Sequence, residues 1–163
     1  TPEAGQSIEQ LFAGRLDIDQ VMTRLKQAAR DAGLPLGDRK MTYNSRLAQE
    51  LGKWAESKGK GDEFHHRAFK AYFVEGINIG KIPELTSLAG AIGLPEDEAR
   101  EGLQKRVFKE AVDSDWVRSR QKGIQAVPTF LLEERVLVGA QPFEKLAAFV
   151  EAAGVNRREG LLS

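Results

Sequence analysis

Ala126-Val127-Pro128-Thr129-Phe130-Leu131-Leu132-Glu133-Glu134-Arg135-Val136-Leu137-Val138-Gly139-Ala140-Gln141-Pro142-Phe143 is the most β-rich segment of the chain. Val127 to Leu132 is a short apolar run rich in β-formers. Glu133-Glu134 is a tight polar turn, and Arg135 to Gly139 is a second run. Two such runs joined by a short turn predict a β-hairpin. The strands look apolar on both faces, most clearly at Phe130-Leu131-Leu132, and strands of that kind belong inside a sheet. A lone two-stranded hairpin is marginal in water. Pro128 donates no ladder bond and predicts an edge geometry at the start of the first strand. After Ala140-Gln141-Pro142 a closing helix is expected, with Phe143, Leu146, Ala147, Phe149 and Val150 on its apolar side and Gly154 as its stop. The tail from Asn156 to Gly160 reads as solvated.

Most of the sequence upstream reads as helix, with Leu34-Pro35-Leu36-Gly37-Asp38 as a loop. Ser7-Ile8-Glu9-Gln10 has capping-box spacing and opens a short helix expected to end near Gly14. Asp17 is placed to cap a second helix, whose apolar positions Ile18, Val21, Met22, Leu25 and Ala29 follow a helical period up to Gly33. Asn44 or Thr42 caps the next, with Leu47, Leu51, Trp54 and Ala55 on one face, and Gly59-Lys60-Gly61 breaks it. A helix over about 62–74 carries Phe64, Phe69, Tyr72 and Phe73, which read as a packing surface. Pro83 and Pro95 suit first helical turns, and the acidic run Glu96 to Glu98 suits a helix N-terminus. A longer helix is expected from Val107 to about Lys122. These helices offer no strands of a strength comparable to the hairpin. The sheet partners of the hairpin are therefore expected outside these residues, in an N-terminal segment or another chain.

The chain has 163 residues, the size of one domain. Lys plus Arg equals Asp plus Glu, 24 of each. No basic excess points to nucleic-acid backbone as a partner. No apolar run approaches the ~20 residues of a membrane span. No leader stands at the N-terminus and a cytoplasmic location is expected, although the chain starts at Thr1 and a leader would be lost with any missing segment. The sequence holds no cysteine, which excludes disulfides, thiolate metal sites and cysteine nucleophiles among these residues. His65 and His66 are adjacent and diverge by about 100° on a helix, so they are not a chelating pair, and no metal site is expected. One of them is expected beside Phe69 and the other in solvent. No G-x-x-x-x-G-K-[ST], G-x-G-x-x-G or G-x-S-x-G is present.

Ala126-Val127-Pro128-Thr129-Phe130, the hairpin, Gly139-Ala140-Gln141-Pro142-Phe143 and the closing helix resemble the C-terminal half of a DsbA-like thioredoxin domain. Phe69-Lys70-Ala71-Tyr72-Phe73-Val74-Glu75-Gly76-Ile77-Asn78-Ile79 resembles the helical insertion of the FrnE-like members, as does Asn44-Ser45-Arg46 opening a helix. The resemblance covers most of residues 7–153. It implies an α/β, thioredoxin-like fold of DsbA type with a large all-helical insertion. Residues 1–122 would be the mainly helical insertion region, 123–154 the hairpin and helix of the C-terminal thioredoxin half, and 155–163 a tail. The family's first strand, its Cys-x-x-Cys helix and its second strand would be absent from this chain, so no catalytic residue is carried over.

What the resemblance implies for the site is a cis-proline loop, Val127, Pro128 and Thr129, facing the dithiol and pairing with an extended substrate. Asn44 is a further candidate, because glutathione-using relatives carry an Asn-Ser pair near the substrate groove; a plain helix cap explains the same residue. The implied function is a FrnE-like thiol–disulfide oxidoreductase scaffold without its nucleophile, needing no cofactor and acting on a thiol or disulfide protein. One alternative is a relative of kappa-class glutathione transferases and 2-hydroxychromene-2-carboxylate isomerases, with glutathione as cofactor. Another is a non-enzymatic binding domain, a homodimer or a partner of a missing N-terminal segment, since bare strand edges invite pairing.

Overall fold

Sixteen glycines and six prolines punctuate the chain into short helices. The computed structural model describes residues 2, 4–12 and 17–155, which form two compact units, Thr1–Ser114 and Asp115–Ser163. The expected stop at Gly14 and the tail from Asn156 lie outside the described residues. Among the described residues no helix is long and apolar enough to cross a membrane.

The first unit opens with strand β1 (Gln6–Ser7) and helix α1 (Ile8–Leu11), then α2 (Ile18–Asp31) and β2 (Met41–Thr42). Both expected caps form. The Ser7 hydroxyl accepts from the Gln10 N–H at 3.0 Å, and Asp17 Oδ1 accepts from the Gln20 N–H at 3.0 Å. β1 pairs antiparallel with β2, so Thr42 lies in a strand opposite Gln6 and is not a helix cap. Four further helices follow: α3 (Arg46–Ser57), α4 (Gly61–Phe73), α5 (Ile82–Gly90) and α6 (Glu96–Gln104). Together they hold the core, in which Leu51, Trp54, Phe64, Ala71, Leu85, Leu88, Ala89, Ala99 and Leu103 are buried. Pro83 sits in the first turn of α5, where its missing N–H costs nothing. Gly37 lies against the end of α4, donating its N–H to Phe73 O at 2.9 Å. A Cβ there would collide with the Val74 carbonyl, so this position needs glycine for its close approach.

The α4 aromatics do not form the single packing surface expected of them. Phe64 and Ala71 point into the core seven residues apart, while Phe69 is 61% exposed. The reason is helical geometry. Residues 64, 68 and 71 share one face, whereas Phe69 and Phe73, four apart, stack on another with ring centroids 5.8 Å apart. Helix α2 forms as its periodicity predicts but buries no residue.

Helix α7 (Lys109–Gln121) begins two residues later than Val107 suggested. Arg106 has φ +53°, which an α-helix cannot accommodate, and Val107 is exposed. The boundary between the two units falls within α7.

The second unit contains the hairpin, β3 (Thr129–Leu132) and β4 (Arg135–Val138), followed by α8 (Phe143–Glu151). β3 and β4 pair antiparallel in the register Thr129↔Val138, Phe130↔Leu137, Leu131↔Val136, Leu132↔Arg135. No described residue of this unit is buried. Hairpin and helix thus have apolar positions of the right period but no core of their own.

Glu133 turns the hairpin at φ +54°, a conformation that costs an L-residue about 1–2 kcal/mol. It occupies the first central position of a two-residue turn, where glycine is favoured. Glu133→Gly is expected to stabilise the hairpin by about 1 kcal/mol, read as slower amide exchange of Phe130 and Leu137. Unchanged or faster exchange would contradict this.

Candidate functional site

The loop that heads β3 brings Val127, Pro128 and Thr129 together. Val127 is 88% exposed, the Val127–Pro128 peptide bond is cis, and Thr129 Oγ1 donates to Ala126 O at 2.6 Å. The loop is braced from the far end of the hairpin. Gly139, at φ +88°, donates its N–H to Pro128 O at 2.8 Å. Gln141 Nε2 donates to Val138 O at 2.7 Å. The sequence signal for this bracing is a glycine and a long amide directly after the second strand, Gly139 and Gln141.

The Gly139–Pro128 bond also sets the polarity of the strand. It makes Thr129↔Val138 a non-hydrogen-bonded pair, and Leu131↔Val136 the next one. The backbone N–H and C=O groups of Thr129 and Leu131 therefore point away from β4, along the outer edge of β3. One face of the hairpin carries Thr129, Leu131, Val136 and Val138. Beside it lies a cavity of about 280 Å³ whose other wall is the segment from Lys122 to Ala126. This site offers backbone pairing and apolar contact, with Lys122 the one titratable side chain among the residues that line the cavity. Among the described residues no group of three or more His, Asp or Glu side chains converges as metal ligands do.

Asn44 belongs to the first unit. Its Oδ1 accepts from the Arg46 N–H at 2.9 Å, while Ser45 occupies the N-cap position of α3. Asn44, expected as the cap, is thus engaged in the local turn one residue ahead of the observed cap. The two histidines are both exposed, not one packed and one free. His65 Nε2 lies 3.9 Å from Glu56, and His66 Nδ1 lies 2.8 Å from Asp62 O. A carbonyl only accepts, so His66 donates from Nδ1.

The first unit holds a buried charge network around Glu50. Glu50 is 2% exposed and accepts from Arg46 Nε at 2.8 Å and from Arg106 Nε and Nη2 at 2.7 and 2.6 Å. Arg46 also reaches Asp113 at 2.6 Å and Lys109 O at 2.8 Å. The Arg106 hydrogen bonds, then those of Arg46, hold the Glu50 carboxyl below its usual range despite burial. Arg46 four residues before Glu50 carries an i,i+4 signal, but Arg106 is 56 residues away and carries none. This network clamps the left-handed turn at Arg106 to α3.

The family model of the DSBA-like thioredoxin domain matches residues 9–151. The Bacillus subtilis protein YwbO is 35% identical over 95 residues, 58% of this chain and 48% of its own length. The chain thus spans about half the length of that curated relative. A probable DsbA oxidoreductase from Streptomyces coelicolor superposes with a TM-score of 0.81 at 22% identity, over 97% of this chain and 72% of that one. A 2-hydroxychromene-2-carboxylate isomerase superposes with a TM-score of 0.69 at 20% identity, over 84% of this chain and 66% of that one. At such identities the two likenesses establish the fold.

Proposed function

The chain belongs to the DSBA-like thioredoxin domain family, and on that premise we propose that it is the major part of a FrnE-like thiol–disulfide oxidoreductase whose cysteine pair lies outside these 163 residues. The observation that carries this reading is the open outer edge of β3. A strand with apolar positions on both faces, no buried residue among the described residues of its unit and the backbone groups of Thr129 and Leu131 turned away from β4 needs a neighbouring strand. A strand–helix–strand segment bearing Cys-x-x-Cys supplies it.

In this reading a thiolate at the start of that helix attacks a substrate disulfide. A mixed disulfide forms and one substrate sulfur leaves as a thiolate. The second cysteine then attacks the mixed disulfide, releasing the other substrate sulfur and closing the pair into its own disulfide. The substrate is reduced and the pair oxidised, and the reverse sequence oxidises a substrate dithiol. Val127 presents backbone to an extended polypeptide as an added strand. Pro128 places no N–H beside the sulfurs, and Thr129 and Leu131 form the apolar wall.

A second reading, a glutathione-dependent isomerase or transferase, draws on the likeness to 2-hydroxychromene-2-carboxylate isomerase and on Asn44-Ser45. It calls for a lone serine where the first reading calls for two cysteines. The test is the intact mass of the protein purified from its native cells, with titration of its thiols. A mass above 18.0 kDa by at least the roughly 30 residues of a βαβ unit, with two reactive thiols, is expected. The same gain in mass with no thiol would favour the glutathione reading. A mass of 18.0 kDa would overturn both and leave a binding role.

A further inference from the structure

Helix α4 carries a second feature, independent of the redox reading. Between α2, the turn Leu34-Pro35-Leu36 and α4 lies a cavity of about 670 Å³. Its size is that of an ordinary small-molecule site, roughly 300–1,000 Å³. Its walls are aliphatic from Leu25, Leu34 and Leu36 and aromatic from Phe69 and Phe73, and only His66 and Lys70 among its lining residues are polar. These two stand four apart on α4 and so share a face. Lys70 has no ion-pair partner among the described residues, whereas the nearby Arg67 is held by Glu75 at 3.0 Å. Leu25, Leu34 and Phe69 remain exposed by 43%, 64% and 61%. So much apolar surface around one cleft marks a binding surface more often than a bare one.

An apolar cleft with Lys70 as the one cation among its lining residues suits one ligand chemistry. We propose that this cleft binds a medium- to long-chain carboxylate, with the alkyl chain along Leu25, Leu34, Leu36 and Phe69 and the carboxylate at Lys70. The ammonium on its flexible stem reaches the head group while its methylenes cover the chain.

The test is calorimetric titration of the whole chain with octanoate, decanoate and dodecanoate, each below its micellar range, and with dodecanol. Binding should tighten about fourfold per added methylene, as burial of each CH₂ predicts. Lys70→Met, at an exposed position, should weaken dodecanoate about threefold, as loss of a surface ion pair does, and leave dodecanol unchanged. Ala29→Phe, which intrudes into the cleft, should weaken both ligands, with far-UV circular dichroism checking that the helices persist. No saturable dodecanoate binding, or no dependence on chain length, overturns the proposal. Equal effects of Lys70→Met on dodecanoate and dodecanol overturn the assignment of the carboxylate to Lys70.

Discussion

Phe64→Ala is expected to lower the unfolding free energy by about 3–5 kcal/mol, the cost of deleting a buried phenyl ring and leaving its cavity. Phe64 is 1% exposed and belongs to the core cluster that α3 and α5 share with α4. Domains of this kind carry only about 5–15 kcal/mol in total, so one residue controls a large share of the stability of the helical unit. Urea unfolding followed by circular dichroism reads the change directly. Phe69→Ala is the control: the same side chain on the same helix, but exposed, and expected to shift stability by only about 0.5 kcal/mol. Equal losses from the two substitutions would mean that the core does not lie where the burial pattern places it.

Removing both arginines around Glu50, in Arg46→Met/Arg106→Met, is expected to cost about 3–5 kcal/mol at pH 7, because a buried carboxylate is left without a cation. The wild-type carboxyl has a folded pKa lowered chiefly by Arg106. Its contribution is therefore present above the unfolded value, about 4.3, and is lost as pH falls through the lower folded value. In the double variant desolvation acts unopposed and raises the folded pKa. That variant should gain stability relative to wild type as pH falls from 7 towards 4.5. Glu50→Gln should cost less than the double change, since Arg46 and Arg106 are 18% and 41% exposed and can reach water. Urea midpoints at pH 7 and 4.5 separate the cases. A double variant whose deficit stayed constant between the two pH values would show that Glu50 is not the group left uncompensated.

Much of the helical unit was legible because its signals are local. Ser7 and Asp17 sit at caps, Gly33, Gly59 and Gly93 take positive φ after helices, and Pro83 enters a first turn. Each of these depends on a few neighbouring residues. The hairpin was legible for the same reason, from two β-rich runs around a two-residue turn. The motif around Val127-Pro128-Thr129 was equally readable, because its residues are contiguous.

What period alone left open was which stripe of an amphipathic helix is covered. Phe64 and Phe69 both satisfy an apolar helical pattern, yet one is buried and the other lines an open cleft. Val107 fits a helix that starts two residues later, because Arg106 is drawn into a left-handed turn by a carboxylate 56 positions away.

Legible in local signals were most of the helices and the hairpin with its two-residue turn, and composition alone showed the absence of any thiol in these residues. Caps, turns and the alternation of side chains act over a few residues, and composition needs no geometry. Packing alone reveals that Glu50 is shared by Arg46 and Arg106, that β3 meets no strand but β4 among the described residues, and that Lys70 lines an apolar cleft. Each of these depends on groups far apart in the chain meeting, or failing to meet, once the helices pack.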